Sequence, residues 1–401
     1  MQRIAGKEMM WIYDVKLILS DSIIENGNLR IENELITEIV KSNGQPSGFT
    51  VFPGFIDMHG DMIELELEPR PKVDFPIEVA VGHLDARLAA AGVTTAYAGV
   101  SFSRTAADGE RRSFRHTSAI IQALKDNIRD LRVDHRIHAR FDMTYTAAIE
   151  ALDGLLTSGA VDLVSVMDHT PGQGQYRNVE RLVTDQMKSG LSENQARAHV
   201  ARRIEDAVPA DQILKNLGQI SDLCRYHSVA MASHDDDTIE KSHLMADIGA
   251  VISEFPVTME AAKVSAERGL MVAMGAPNAM RGKSYSGNLS AREAHAAGLL
   301  HILAADYHPA AILPAIRALS KSDADGLVGA VRLASKNPAD TLGLSDRGEI
   351  ATGKRADLTI VDVKDRVVQT FCAGEIIFAN GAWPEAAEET TVSDLSERNT
   401  D

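Results

Sequence analysis

Residues 51–61 read VFPGFIDMHGD, a short apolar run with Pro53 and Gly54 near its start and His59 and Asp61 at its end. Proline and glycine interrupt regular structure, and a short apolar run bounded by such breaks is typical of a buried β-strand. Seven further runs of the same kind follow along the chain. The eight predicted strands span residues 51–59, 92–100, 135–143, 161–169, 228–236, 249–256, 269–277 and 299–307.

Helix-like segments separate most of these runs, for example at residues 77–91, 113–131 and 210–226. Near-continuous apolar strands joined by helical crossovers are typical of a parallel sheet that is buried on both faces. Eight of them predict an α/β fold, a (β/α)₈ TIM-like barrel. An open, doubly wound sheet is the alternative, but it is disfavoured because the chain lacks a G-x-G-x-x-G turn and a P-loop.

The two ends of the chain alternate apolar and polar residues with a period near two, between turn signals, at residues 10–50 and 347–382. Such alternation predicts short strands with one buried face. We expect both termini to pair into one small β-sandwich domain. The expected division is 1–50 for the first part of this domain, 51–340 for the barrel, 341–384 for its second part and 385–401 for an acidic, disordered tail.

Composition narrows the class of protein and its partners. A formal net charge of −16 argues against nucleic acid as a partner, because phosphate backbones are bound by clustered Lys and Arg. No run reaches the ~18 apolar residues of a membrane span, and the N-terminus lacks the apolar core of a secretory signal. Cys224 and Cys372 are too few for a disulfide framework. We therefore expect a cytoplasmic protein that binds neither nucleic acid nor membrane, and a homodimer is left open.

Polar side chains stand where the predicted strands end, which is the face of a TIM barrel that carries the active site. No single residue among them is diagnostic. Their repetition at the same end of successive strands predicts a functional site. The set comprises His59, Asp61, His138, Arg140, Asp142, Asp168, His169, His234, Asp235, Glu254, Asn278 and Asp306.

Part of this set suits a metal centre. His59 and Asp61 are two residues apart, so both face one side of an extended strand and can share a cation. Read alone, a His-x-Asp pair is more often a surface feature or a structural hydrogen bond. Combined with ligand-capable residues at the ends of other strands, it predicts one or two divalent ions, Zn²⁺, Mn²⁺ or Fe²⁺. The predicted ligands are His59, Asp61, Asp168, His169, His234, Glu254 and Asp306.

Asp306, which ends the last predicted strand, is the candidate catalytic residue. A divalent cation lowers the pKa of its water towards ~7, and a neighbouring carboxylate can accept the proton of that water. The alternative is that Asp306 caps a helix that begins near Pro309, because Asp is a good N-cap and proline suits the first helical turn.

Two segments carry a resemblance to a known superfamily. VFPGFIDMHGD and, at residues 337–362, NPADTLGLSDRGEIATGKRADLTIVD resemble the framing signatures of the amidohydrolase superfamily. The resemblance extends over nearly the whole chain. It implies a metal-dependent (β/α)₈ barrel with a small β domain formed by both termini, and it gives Asp306 the role of metal ligand and proton acceptor.

A narrower resemblance is to the PhnM family of the carbon–phosphorus lyase pathway. It implies hydrolysis of a phosphoanhydride in a small anionic sugar, with release of pyrophosphate from α-D-ribose 1-methylphosphonate 5-triphosphate. The resemblance rests on six motifs that occur in order along the chain. They are HGDMIELELEPRP at 59–71, MDHTPGQGQY at 167–176, SHDDDT at 233–238, SEFPVT at 253–258, MGAPNAMRGKSYSGNLSA at 274–291 and AADYHPAAIL at 304–313.

The chain departs from the wider superfamily at three positions. Its first strand carries Asp61 where the superfamily has the second histidine of His-x-His, and its sixth offers Glu254 in place of histidine. The more oxygen-rich ligand set favours Mn²⁺ or Fe²⁺. The fourth strand lacks the carboxylated lysine of many members, so a bridging ligand would have to come from Asp142, Asp168 or His169.

A triphosphate needs cationic groups, and residues 275–288, GAPNAMRGKSYSGN, provide them. Glycines let backbone N–H groups approach an anion, and Arg281 and Lys283 would neutralise its charge. The alternative is a flexible polar loop, which is common at this face of a barrel. The predicted substrate-binding residues are Arg70, Arg140, Arg177, Asn278, Arg281, Lys283 and Ser286.

Two other functions compete with that of a diphosphatase. The first is hydrolysis of a cyclic amide or an N-acyl amino acid by the same barrel and metal, a reaction that needs no cationic phosphate loop. The second is a non-catalytic scaffold that has lost its metal. We disfavour the scaffold because the predicted ligand set is complete.

Overall fold

The structure, a computed structural model, describes residues 9–70, 73–102, 114–128, 130–284 and 287–382. Their strands form two hydrogen-bonded sheets, one of seven strands and one of eight. The strands are β1 (Met9–Ile18), β2 (Ile23–Glu32), β3 (Leu35–Lys41), β4 (Thr50–Pro53), β5 (Phe55–Gly60), β6 (Val93–Phe102), β7 (Asp134–Asp142), β8 (Leu163–Met167), β9 (Ala230–His234), β10 (Ile252–Glu254), β11 (Met271–Gly275), β12 (Ile302–Ala304), β13 (Leu358–Val361), β14 (Val367–Cys372) and β15 (Glu375–Ala379).

The eight-stranded sheet is a parallel barrel in which β5 to β12 are neighbours in chain order. Its first and last strands meet through a bridge between Gly60 and Asp306. The Asp306 N–H donates to the carbonyl of His59, and the Asp61 N–H donates to the carbonyl of Asp306, each over 2.9 Å. The predicted TIM-like barrel is therefore confirmed, and this closure lies at the level of the predicted site.

Helices connect the barrel strands, and local capping explains where several of them begin. Ser192 and Ser290 each form a capping box, which satisfies backbone N–H groups that a helix start leaves unpaired. No helix within the described ranges is long and apolar enough to cross a membrane. The helices are α1 (Met62–Leu67), α2 (Ile77–Ala90), α3 (Phe114–Asn127), α4 (Ile149–Thr157), α5 (Val179–Lys188), α6 (Glu193–Glu205), α7 (Ala210–His227), α8 (Ile239–Asp247), α9 (Met259–Glu267), α10 (Ala276–Arg281), α11 (Ala291–Ala296), α12 (Ile312–Leu319), α13 (Gly326–Arg332) and α14 (Lys336–Thr341).

The seven-stranded sheet draws on both ends of the chain, in the order β15-β14-β13-β4-β1-β2-β3. Its pairs are antiparallel except for β1 with β4. Val15, Leu29, Val51 and Leu358 are fully buried in its core. The expectation that the termini form one β unit is confirmed. The predicted tail at 385–401 lies outside the described residues.

The segment predicted as one strand, residues 51–59, is divided between the two sheets. β4 pairs with β13 in the terminal sheet, whereas β5 pairs with β6 in the barrel. Gly54 separates them, and a Cβ at this position would lie 2.3 Å from Thr94 Oγ1, so only glycine fits. The expected boundary at residue 51 falls within β4, and the domain limits stay predictions.

Candidate metal centre and active site

Three buried side chains meet at the carboxyl ends of the barrel strands. His59 on β5, His234 on β9 and Glu254 on β10 each offer one ligand atom, and these atoms lie within 4.8 Å of one another. Strand alternation and register produce the meeting, because Glu254 pairs with His234 across β9 and β10. Among the described residues this is the one group of three or more His, Cys, Asp or Glu side chains that could hold a metal ion.

The polar atoms of this cluster lack ordinary partners. Both ring nitrogens of His59 and both carboxylate oxygens of Glu254 are buried without a hydrogen bond, as is Nδ1 of His234. Buried polar groups are nearly always hydrogen-bonded, since an unmade bond costs about 1–3 kcal/mol. Imidazole nitrogens and a carboxylate are suitable ligands for a divalent transition metal. The donor set therefore fits a bound cation.

The electrostatic field of the cluster also favours a cation. Burial alone would lower the pKa of His59, but the carboxylates of Glu254 and Asp61 raise it to about 10. Burial alone would raise the pKa of Glu254, but His138 and His59 lower it to about 2. A positive charge at this point is thus stabilised, whether it is carried by a proton or by a metal ion.

Three residues within two positions of the end of a barrel strand adopt the left-handed backbone conformation. They are Asp235 (φ 53°), Phe255 (φ 53°) and Asp306 (φ 59°). This conformation is unusual for a bulky residue such as Phe255, and such outliers concentrate at functional sites. The Phe255 ring packs edge-on against His59 and His234, with centroid distances of 4.8 and 5.4 Å. It therefore helps to fix both imidazoles.

Asp306 lies beside this cluster as a largely buried carboxyl group. Burial, with a further contribution from the negative charge of Asp61, raises the pKa of Asp306 to about 6. A pKa near the working pH suits a group that accepts and returns a proton. The alternative role as a helix cap is not what the structure shows, because the turn Pro309–Ala311 has His308 as its N-cap.

Asp61 and Arg140 form an ion pair at the edge of the cluster. The Arg140 guanidinium donates to Asp61 Oδ1, and Nε2 of His59 lies 3.4 Å from the same oxygen. Arg140 is buried, with 7% of its surface exposed. Its other terminal nitrogen, Nη2, is 3.5 Å from Nε2 of His234.

Sequence reasoning left His138 unassigned, although it lies at the centre of the site. It is fully buried, with Nε2 3.6 Å from Glu254 Oε1 and its ring centroid 5.1 Å from that of His59. Burial lowers the pKa of His138 to about 3, so the ring is neutral. Its spacing of two from Arg140 on β7 is the signal that could have placed it on the inner face.

The other predicted ligands lie outside the three-residue cluster. Asp168 Oδ1 accepts a hydrogen bond from the Thr170 N–H over 2.9 Å. Nδ1 of His169 is 3.4 Å from Asp142 Oδ2, and the carbonyl of His169 accepts from Arg203 Nη2 over 2.6 Å. These contacts do not bring the pair to His59, and its role as a bridge stays a prediction.

A cavity of about 160 Å³ joins Asp306 to the loop that follows β11. Arg281 and Asn278 line it, together with Gln175 from the segment after β8. Arg281 is exposed, whereas Asn278 also supports the loop, because its Oδ1 accepts from the Ala291 N–H over 3.1 Å. The cavity therefore places one cationic side chain in reach of the same space as Asp306.

The remaining predicted substrate-binding residues are more scattered. Lys283 is exposed on the same loop as Arg281. Arg177 is exposed directly after the turn Gly174–Tyr176, and Arg70 is exposed in a bridge with Val73. Ser286 lies outside the described residues. None of these positions is tested as a substrate contact, so their roles stay predictions.

Comparison with known proteins places the chain among hydrolases. A sequence model described as "Amidohydrolase family" matches residues 50–377. The chain is 36% identical over 370 residues to a protein of Escherichia coli (strain K12) named alpha-D-ribose 1-methylphosphonate 5-triphosphate diphosphatase. That alignment covers 89% of this chain and 96% of the relative.

Solved structures share the fold at low sequence identity. An N-acetyl-D-glucosamine-6-phosphate deacetylase variant from Mycobacterium smegmatis has a TM-score of 0.62 and 16% identity, covering 93% of this chain and 100% of that one. The corresponding deacetylase from Thermotoga maritima has a TM-score of 0.59 and 15% identity, covering 92% and 100%. The fold agrees, and the family match spans most of the sequence. The chain belongs to the amidohydrolase family.

Proposed function

We propose that this hydrolase is a metal-dependent diphosphatase that releases pyrophosphate from α-D-ribose 1-methylphosphonate 5-triphosphate in phosphonate catabolism. The observation that carries the proposal is the 36% identity to the Escherichia coli diphosphatase of that name, over 96% of its length. The cavity that joins Asp306 to Arg281 supports it, because the reaction needs a proton acceptor and a group that binds phosphate. A cytoplasmic location and a small phosphorylated sugar as the substrate belong to the same proposal.

The metal in this proposal is held by His59, His234 and Glu254, whose unpartnered buried atoms fit a divalent ion. When bound, such an ion activates water and offsets negative charge on a phosphoryl oxygen. The protein's contribution is to fix the three ligands on the barrel strands β5, β9 and β10 and to keep the Phe255 ring packed against both imidazoles.

Asp306 is the proton acceptor. A water oxygen attacks the phosphorus nearest the ribose, its proton passes to an Asp306 carboxylate oxygen, and the bond from that phosphorus to the bridging oxygen breaks. Pyrophosphate leaves with the bridging oxygen, and the sugar keeps a 5-phosphate. The raised pKa of Asp306, about 6, suits both acceptance and later return of the proton.

Arg281 binds the departing pyrophosphate. Its side chain lines the same cavity as Asp306, which supports this role. A cation beside the leaving group stabilises the negative charge that builds there in the transition state. Lys283, two residues further along the chain, is exposed and offers a second positive charge.

A pyrophosphate-release assay tests the function directly. The purified chain is loaded with Mn²⁺, Zn²⁺ or Fe²⁺ and given the phosphonate triphosphate, ATP, an N-acyl amino acid and a cyclic imide. We expect pyrophosphate from the phosphonate triphosphate, at a higher kcat/KM than from ATP. Hydrolysis of either amide substrate without pyrophosphate release would instead establish the amidohydrolase alternative.

A variant pair tests the role of Arg281. Arg281→Met should lower kcat/KM for the triphosphate by about tenfold to a hundredfold, because a charge-assisted contact contributes about 1.5–3 kcal/mol. Arg225→Met is the matched control, since Arg225 is an exposed arginine on α7 paired with Asp222. Equal kinetics for the two variants would contradict the assignment of Arg281.

A further inference from the structure

Arg140 occupies a position in the site that a metal ligand set does not explain. Its guanidinium donates to Asp61 Oδ1 on one side and lies 3.5 Å from Nε2 of His234 on the other. Gly99 on β6 makes room for it, because a Cβ there would lie 3.1 Å from Arg140 Cδ and 3.2 Å from Asp61 Oδ1. A buried positive charge is thus built into the barrel between two residues that the sequence predicts as metal ligands.

The carboxylate of Asp61 is engaged in the ion pair with Arg140. Its Oδ1 accepts from Arg140 and lies 3.4 Å from Nε2 of His59, and Asp61 is not part of the cluster of three ligand atoms. The charge of the Asp61 carboxylate is therefore already neutralised by a protein cation.

We propose that Arg140 is a fixed cation standing in place of a second metal ion, so that each chain holds one divalent ion, at His59, His234 and Glu254. Arg140 is then a positioning residue that neutralises Asp61, and not a contact for substrate phosphate. This inference rests on the metal site of the proposed function and specifies how many ions that site holds.

Charge and burial both act against a second ion beside Arg140. A guanidinium does not lose its proton in proteins, so the repulsion could not be relieved by titration. Like charges in a buried site repel far more strongly than in water. The ligand inventory agrees, because the described residues offer one group of three ligands and not two.

Metal content measures the number of ions without reference to activity. The apo chain is reconstituted with excess Mn²⁺, passed through a desalting column and analysed by mass spectrometry for metal per chain. We expect one ion per chain and the six-line EPR spectrum of isolated Mn²⁺. Two ions per chain with an exchange-coupled spectrum would overturn the inference.

Variants of Arg140 test whether this residue sets the number of metal ions per chain. Arg140→Met removes the charge and frees Asp61, so a second ion should bind, whereas Arg140→Lys keeps a cation and should retain one. Arg136→Met is the matched control on the same strand, because Arg136 pairs with Asp134 and Asp162 near the start of β7. One ion in Arg140→Met, with a folded chain by circular dichroism, contradicts the role of Arg140.

The outcomes separate this inference from the proposed function. A chain that binds one ion but releases no pyrophosphate refutes the diphosphatase activity and leaves the role of Arg140 intact. A chain that binds two ions and releases pyrophosphate refutes only the role of Arg140. If Arg140→Met fails to fold, two ions per chain in the wild type or in Arg140→Lys would still overturn the inference.

Discussion

The two ends of the barrel bury the same kinds of side chain in opposite ways. β7 runs through both ends, with His135 near its start and His138 and Arg140 towards its finish. At the start, Asp85 accepts from Nε2 of His135 over 3.1 Å and from the Val133 N–H over 3.0 Å. The carboxylate thus has several partners although it is buried.

At the other end of the barrel the equivalent groups have no such partners. Both ring nitrogens of His59 and His138, and both oxygens of Glu254, are buried without hydrogen bonds. Three neighbouring backbones also adopt a strained left-handed conformation. Residue type and burial are therefore the same at the two ends. The buried carboxylate distinguishes the two ends, because that of Asp85 has hydrogen-bond partners and that of Glu254 has none, although Nδ1 of His135 is also buried without a hydrogen bond.

The largest effect should come from Asp306→Asn. We expect kcat to fall by about a thousandfold, within the ~10²–10⁴ range for loss of a general base, with little change in the melting temperature. Asparagine tolerates the left-handed backbone that Asp306 adopts (φ 59°), so the fold should survive. Steady-state kinetics and differential scanning calorimetry measure the two quantities.

Asp365→Asn is the control for this change. Asp365 has the same backbone conformation (φ 57°) but lies half-exposed on the surface, in an ion pair with Arg317. Its substitution should leave kcat unaltered. A wild-type rate in Asp306→Asn would remove the proton acceptor from the mechanism.

The next effect should be the loss of metal-linked stability in Glu254→Gln. A bound ion stabilises the wild-type fold by about 2.7 kcal/mol when its free concentration is 100 times its Kd. Adding a chelator should therefore lower the wild-type melting temperature and leave that of Glu254→Gln unchanged. Glu240→Gln, an exposed change on α8, should respond like the wild type. Equal chelator responses in all three proteins would show that Glu254 is not a ligand.

The sequence was sufficient for the barrel and for much of the site, because strand periodicity and strand-end chemistry are local properties. His59, His234 and Glu254 could be predicted in this way, since each ends an apolar run. The division of residues 51–59 at Gly54 could not, because it depends on Thr94, which is 40 positions away.

Pairing across strands explains the other misses. His138 could be assigned only with the barrel register, which brings it to Glu254. The burial of Arg140 against Asp61 also depends on residues from different strands. Periodicity identifies which side chains point inward, but not which of them neutralise one another.

A smaller effect should come from Asp85→Asn at the structural end. This change leaves His135 and the surrounding amides with a weaker acceptor, at a cost of about 2 kcal/mol in the free energy of unfolding. Metal content and kcat should not change. The control is Asp153→Asn, a 51% exposed aspartate 3.4 Å from His227, which should cost less than about 1 kcal/mol. A lower kcat in Asp85→Asn would show that the two ends are coupled.

The smallest expected effect is the pH dependence of the difference in the free energy of unfolding between wild type and Asp85→Asn. Burial would raise the pKa of Asp85, but the bonds from His135 and from the amides of Val133 and Arg132 lower it. A lowered pKa gives stability that is present above the unfolded value of about 3.9 and is lost as the pH falls through the folded value. The difference between wild type and Asp85→Asn should therefore stay constant from about pH 7 to about pH 5 and narrow below about pH 4.

The size of this narrowing of the stability difference follows from the linkage between proton binding and folding. It amounts to about 1.4 kcal/mol for each unit by which the folded pKa lies below the unfolded one. Urea titrations of both proteins across this range measure it. A difference that widens in acid would mean that the pKa of Asp85 in the folded state is raised above the unfolded value and not lowered. In that case burial would outweigh the hydrogen bonds to Asp85, and satisfaction of the buried carboxylate would no longer separate the two ends.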